Sequence, residues 1–403
     1  MLDLRKVIFL ALPFFLYLLY GLYLGWFNPS IFEFKLEPKD PPGYYDYKGI
    51  THIHSNRSTG SGSPMEVFAA AKESGLDFII MTDLNDFETE TQFEGYDGRL
   101  LVLKGGEYSY LDSHLLYYDS PKNFSLTSLG QSQIQFTDLL SQKRNPTDSG
   151  FVVLAHPFKH RFSWTSAYPA GLDGIEAINL LSLWERAWLS SKASTIWSVL
   201  IFPFNQRLAL FRLFEEPKQE IDLWDQLSQK RHTIALSGAD AMAKASFSDQ
   251  YLKIPSYQDS FQISSNHVLL TSELTGNTTS DRNKIMSAIK SGSFYFSLDL
   301  LADPKGFLTI MKTAKTTYSM GSEIKHSPGL QLIVQLPQKP QVPFEIVIMK
   351  DGNRYVTSNS QVTTMNVHSP GVYRVLVRLI PTLPLPDGKK WFPWIYTNAF
   401  YVN

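Results

Sequence analysis

The chain has 403 residues, 37 lysines and arginines against 38 aspartates and glutamates, and no cysteine. A formal charge of −1 excludes a broad nonspecific nucleic-acid surface. The lack of cysteine excludes disulfides and thiolate sites, so any metal must take histidine and carboxylate ligands.

Arg5 and Lys6 precede an uncharged apolar run over 7–27, about the length that crosses a bilayer. Tyr20, Tyr23 and Trp26 at its far end match an interfacial belt. The basic pair predicts that residues 1–6 stay in the cytoplasm and the rest is exported. Gly25-Trp26-Phe27-Asn28-Pro29 offers no small-residue cleavage site, so the run reads as an uncleaved single-pass anchor. Residues 28–46, rich in Pro, Asp, Lys and Tyr, read as a spacer off the membrane.

Strands then alternate with helices. Strands are expected at 47–53, 77–81, 100–104, 115–118, 151–155, 174–179 and 233–236. Ser63-Pro64-Met65-Glu66 carries a cap, a first-position proline and a first-turn acid, predicting a helix that ends at Gly75. Further helices are expected at 135–143, across most of 183–231, and at 281–291. This alternation indicates an α/β domain with largely parallel pairing. Within 196–214, broken by Pro203, the apolar residues read as a buried helix pair or a lid, with membrane contact as the alternative. Beyond about residue 300 short β runs recur at 307–313, 330–335, 344–349, 354–357, 362–367, 372–379 and 395–402. Turn signals such as Asp351-Gly352-Asn353 separate them, predicting a β-sandwich of about 100 residues.

The chemistry-bearing residues sit beside the strands. In Thr51-His52-Ile53-His54, alternate positions of a strand would point two imidazoles to one side. Glu107 follows Gly105-Gly106, His114 precedes Leu115-Leu116, His156 sits in Ala-His-Pro and Asp240 in Ser-Gly-Ala-Asp. Each alone reads as a loop carboxylate or a satisfied histidine. Together they form one ligand set suited to zinc, manganese or iron. His232, His326 and His368 lack ligand-like neighbours, and His267 reads as structural.

The ordered set His52/His54, Thr82-Asp83, Gly105–Glu107, His114–Leu116, Ala155–Pro157, Gly174–Asn179 and Gly238–Asp240 resembles the PHP (polymerase and histidinol phosphatase) superfamily over roughly 47–300. The resemblance implies a distorted (β/α)7 barrel that hydrolyses phosphate esters with a metal cluster. The tail resembles exported members that append a β-sandwich. The expected layout is therefore a cytoplasmic 1–6, an anchor at 7–27, a linker at 28–46, a hydrolase domain at 47–300 and a sandwich at 301–403, with the catalytic part extracytoplasmic.

Four positions depart from that family. Thr51 replaces an Asp, Thr59-Gly60 stands where an acid or His is expected, Leu84 replaces the His of Thr-Asp-His, and Met242 that of Gly-Ser-Asp-x-His. The last three bind one metal of a three-metal cluster in the family, so two divalent ions are expected here. The resemblance assigns His52, His54, Glu107 and Asp240 to the first ion and Glu107, His114 and His156 to the second, with Glu107 bridging and Asp83 orienting or replacing a ligand. Asn85 and Asp86 are further oxygen donors to consider. Arg57, Lys159, His160 and Arg161 are the candidates to bind phosphate, His160 also to protonate the leaving group. The expected substrate is a small-molecule or envelope phosphate ester. Hydrolysis of a non-phosphate bond in envelope material, or non-catalytic binding by a barrel that lost the chemistry, are the alternatives.

Overall fold

The computed structural model describes residues 4–28, 31–32, 39–87, 93–118, 128–142, 150–247 and 250–403, with the side chains of 4–10 and 245–251 outside that description. Seven strands close into a barrel: β1 (Tyr45–Ile53), β2 (Phe78–Met81), β3 (Leu100–Tyr110), β4 (Ser113–Tyr118), β5 (Phe151–Leu154), β6 (Gly174–Asn179) and β7 (Ile234–Ala241), with β7 pairing back onto β1. All neighbours run parallel except β4, which is antiparallel to both β3 and β5. The sequence shows why. Only Leu111 and Asp112 separate β3 from β4, too few residues for a crossover and enough for a hairpin. Strands β2 and β5 are apolar throughout, and β2 and β5–β7 are buried at every position, as expected where a layer covers both faces.

The helices are α1 (Leu4–Trp26), α2 (Pro64–Glu73), α3 (Leu129–Ser141), α4 (Leu180–Ser190), α5 (Lys192–Ile201), α6 (Gln206–Arg212), α7 (Lys218–Ser228), α8 (Tyr257–Phe261) and α9 (Thr278–Ser291), of which α2–α4 and α7–α9 pack on barrel strands. The predicted capping box of α2 is present: Ser63 Oγ accepts from Glu66 N and the Glu66 carboxylate accepts from Ser63 N. The last residue of the helix expected at 135–143 lies outside the described residues. For α1, no helix is long and apolar enough to cross a membrane among the described residues.

The C-terminal region is joined to the barrel rather than hung beside it. Strand β8 (Ser265–Leu270) pairs with β1, β9 (Phe294–Ser297) with β8, and then come β10 (Leu308–Lys312), β11 (Gln331–Gln335), β12 (Phe344–Lys350), β13 (Asn353–Ser358), β14 (Val362–Asn366), β15 (Gly371–Leu379), β16 (Phe392–Thr397) and β17 (Phe400–Val402). Strand β16 pairs with β9, so β15, β17, β12 and β13 extend the barrel sheet, while β10, β11 and β14 belong to a separate antiparallel sheet. Part of the expected spacer is packed. Ile31 and Phe32 are buried, Phe32 meets Trp394 edge-on, and Gln341 N donates to Ile31 O. Their apolar side chains override the turn-forming composition around them.

Candidate metal centre

The six expected ligands converge. Glu107, on β3, faces four imidazoles: its Oε1 lies 3.3 Å from His52 Nε2, 2.8 Å from His114 Nδ1 and 3.3 Å from His156 Nε2, and its Oε2 lies 3.3 Å from His54 Nε2. Asp240 Oδ1 stands 3.7 Å from His52 Nε2 and 3.5 Å from His54 Nε2. Three overlapping triads can each close on one ion: His52/His54/Glu107, His52/His156/Asp240 and Glu107/His114/His156. Two ligands about 2.1 Å from a shared tetrahedral cation stand roughly 3.4 Å apart, which is the spacing found. His52 Nε2 is buried without a hydrogen-bond partner. A buried orphan nitrogen aimed at two carboxylates fits a metal ligand.

Backbone strain aims these side chains. His52, His156 and Asp240 have φ of +61°, +28° and +46°, a region that L residues rarely adopt and that concentrates at functional sites. Regular strand alternation therefore does not bring His52 and His54 together, as the sequence suggests. The register of β1 slips against both neighbours between residues 50 and 53, and the bulge turns His52 inward. Gly238 permits the close approach on the other side, since a Cβ there would lie 1.6 Å from Glu176 Oε1.

Residues outside the expected set hold the ligands in place. Glu176, fully buried on β6, bonds His52 Nδ1 through Oε1 at 2.7 Å and accepts from His156 N through Oε2 at 2.8 Å. A carboxylate on the far ring nitrogen fixes the tautomer that presents Nε2 to a metal. Asn179 donates from Nδ2 to Glu176 Oε2 and Asp240 Oδ2 while its Oδ1 caps α4 through Ser182 N. The signal for both was a Glu and an Asn inside the otherwise apolar strand Gly-Ile-Glu-Ala-Ile-Asn.

Charge follows geometry. For His52, burial alone would lower the pKa, but Glu176, Asp240 and Glu107 raise it well above its ordinary value. For Glu107, burial is outweighed by the charge of His52 and by hydrogen bonds with His114 and His156, which hold it well below the carboxylate range. Asp240 is likewise lowered against its burial, by Lys159 first and then His52 and His54. The pocket thus keeps its carboxylates ionised and calls for positive charge.

The remaining candidates separate. Lys159 reaches the centre, its Nζ 2.8 Å from Asp240 Oδ2. His160 and Arg161 are exposed, and neither makes a hydrogen bond or ion pair to a ligand among the described residues. Arg57 pairs with Asp86, and Asn85 is spent on Ser109 N and Oγ, so neither Asn85 nor Asp86 points at the centre. Asp83 accepts from Ser55 N, Ser55 Oγ and Ser58 Oγ at 2.6–2.8 Å and stands outside the three triads. Around Gly60 and Met242 the space is filled. Tyr257 Oη lies 2.7 Å from His54 O and 3.3 Å from Met242 O, and a Cβ on Gly60 would come within 2.2 Å of His54 O. His232 and His326 bond backbone carbonyls.

No protein-family model and no curated protein matches the chain. Among solved structures it is similar to a two-domain protein from Bacteroides vulgatus, described as containing a predicted PHP-like metal-dependent phosphoesterase. The two share 13% identity at a TM-score of 0.40, covering 89% of this chain and 98% of that one.

Proposed function

We propose that the chain is a metal-dependent phosphoesterase working with two divalent ions, zinc, manganese or iron. One observation carries the reading: a single buried carboxylate, Glu107, faces four imidazole nitrogens from three separate segments. Three carboxylates (Glu107, Asp240, Glu176) against one ammonium (Lys159) leave two negative charges when the imidazoles are neutral, and buried charge must be neutralised. His52, His54, Glu107 and Asp240 would hold one ion and Glu107, His114 and His156 the other. The plugging of the Gly60–Met242 corner by Tyr257 and the saturation of Asp83 by serines support two ions rather than three.

When bound, such a pair activates water near neutral pH and offsets charge on a phosphoryl oxygen. The chain's own residues do the rest. Glu176 and Asn179 hold the ligand rings and Asp240 in register. Lys159, beside Asp240, is placed to meet a phosphate oxygen as a point charge. We assign no role in the chemistry to His160 or Arg161 beyond contact with the part of a substrate outside the pocket.

The substrate in this reading is a small-molecule or envelope phosphate ester. The chain is tethered through 7–27 with its hydrolase part, 47–300, outside the cytoplasm, and 301–403 forms a two-sheet sandwich against it. The uncharged apolar run and the basic pair before it support the tether.

The test is turnover by the full chain in detergent, with zinc, manganese or iron added, across phosphate monoesters, phosphodiesters, carboxylic esters and amides. Phosphate-ester turnover that disappears with a chelator and returns with metal is expected. Turnover of only esters or amides, or none with metal bound, rejects it.

A further inference from the structure

Helix α5 turns apolar side chains to the outside. Its inward side carries buried Ile201 together with Ser194 and Ser198, whose hydroxyls accept from Arg212 Nη2 and Nε, and Arg212 in turn pairs with Asp387. Its outward side carries Ala193, Ile196, Val199 and Leu200, spaced as one helical face. Ile196 is 51% exposed and Val199 65%. A helix in contact with water puts its apolar stripe inward and polar residues outward; this one shows an apolar stripe on its outward side as well. The neighbouring α4 adds exposed Trp188 and Leu189, and Leu385 in the loop before β16 is 76% exposed.

Part of this surface meets α1. Tyr17 Oη donates to Leu200 O, Tyr20 stacks on Trp197 and donates to Leu385 O, and Asn205 Nδ2 bonds Leu24 O and Phe27 O. Tyr17, Tyr20, Gly21 and Leu24 are thus the contact stripe of α1. Residues 11–16 are exposed one after another, which at 100° per residue means all the way round. A protein partner covers one side of a helix; only a medium apolar on every side matches this surface.

We propose that α5, with the tip of α4 and Leu385, is a second membrane-contacting element that lies in the outer leaflet of a phospholipid bilayer beside α1. The depth follows from the contacts. Leu200 meets α1 at Tyr17, nine residues or roughly 14 Å along the axis from Trp26, so lipid around α1 there is lipid around α5. Trp188, Trp197, Tyr20 and Tyr23 then sit where amphipathic rings collect, and Lys192, 5.9 Å over the Trp188 ring, reaches back to water. Two contact points fix the height and tilt of the barrel, which one tether cannot. The proposal rests on the tether reading, and the experiment separates the two.

The chain has no cysteine, so single thiols can carry a polarity-sensitive NBD fluorophore. Leu16→Cys reports on α1, Ile196→Cys and Val199→Cys on α5, and Val362→Cys, exposed on β14, on water. The labelled full chains are placed in phosphatidylcholine–phosphatidylglycerol vesicles with nitroxide on the acyl chains. Blue-shifted, quenched emission at 16, 196 and 199 with water-like emission at 362 is expected. Quenching at 16 alone keeps the tether and overturns the proposal. Shielding at 196 and 199 without lipid quenching means protein covers the face, and overturns it too. No quenching at 16 overturns both.

Discussion

Two buried histidines in this molecule look alike until their surroundings are compared. His52 and His267 are both completely buried; each bonds a carboxylate through Nδ1, at 2.7 Å to Glu176 and 2.9 Å to Asp46, and each has an Nε2 without a hydrogen-bond partner. His267 lies in a regular strand, paired on both sides. It faces Asp299 and Asp303, and the Lys48 ammonium reaches both of those carboxylates. Tyr295 Oη donates to Asp46 and stacks on the imidazole. That cluster meets most of its charge from within. Around His52 the backbone is strained and three more imidazoles crowd one carboxylate. A buried His–carboxylate pair is thus no mark of a metal centre; several imidazoles from separate segments converging on one buried carboxylate are.

The largest test of that contrast is Glu107→Ala against Asp46→Asn. The first should lose the bound metal and at least ~10³-fold in turnover, because the group common to both proposed ion sites is gone. The second should leave metal content and turnover unchanged and lower the melting temperature, at a cost of about 3–5 kcal/mol for breaking a buried pair. Metal analysis, kinetics and calorimetry read the outcomes; equal metal loss in both variants would break the comparison.

Glu176→Gln comes next. It removes the charge behind His52 while keeping the shape, and a metal affinity weaker by about 10–100-fold is expected, measured by competition with a chelating dye. Unchanged affinity would reduce Glu176 to a packing group.

A pH series sharpens the other side. Burial would lower the pKa of His267, but Asp46, Asp299 and Asp303 raise it from the ordinary value of 6.5 to about 10. Its proton is held more tightly in the folded chain, so this stabilisation is complete below about pH 6.5 and drains away as pH rises toward about 10. Stability of the metal-loaded protein should fall between these limits, read by urea unfolding. His267→Asn should flatten that slope, and a slope unchanged in the variant would assign it elsewhere.

The smallest effect belongs to Tyr257→Phe. Loss of the bond to His54 O should cost ~1 kcal/mol and leave the number of bound ions unchanged. A further ion in this variant would show that the tyrosine, not the missing ligands, closes that corner.

The barrel was legible because β2, β5, β6 and β7 are largely apolar runs flanked by turn residues and helix caps. The ligand types were legible because His and acids recur where those runs end. Other features left no periodic trace. The antiparallel β4 depends on a two-residue hairpin, and the positive φ of His52 depends on a bulge set by the neighbours' register. The role of Glu176 depends on a glycine, Gly238, 62 positions away making room for it. The apolar residues of 196–214 divided in a way composition could not show. Helix α6 is buried from Leu208 to Arg212, while α5 turns apolar side chains out. His160 and Arg161 read as phosphate ligands because they follow His156 closely, but the turn after β5 carries Lys159 inward and leaves them in solvent.

The most direct test of the central claim is divalent-metal content of the full chain, purified in detergent and equilibrated with zinc or manganese, set beside that of Glu107→Ala. About two ions per chain, removable by chelator and absent from the variant, are predicted. A folded native chain that retains no metal, or a variant that retains as much as the parent, would contradict the account.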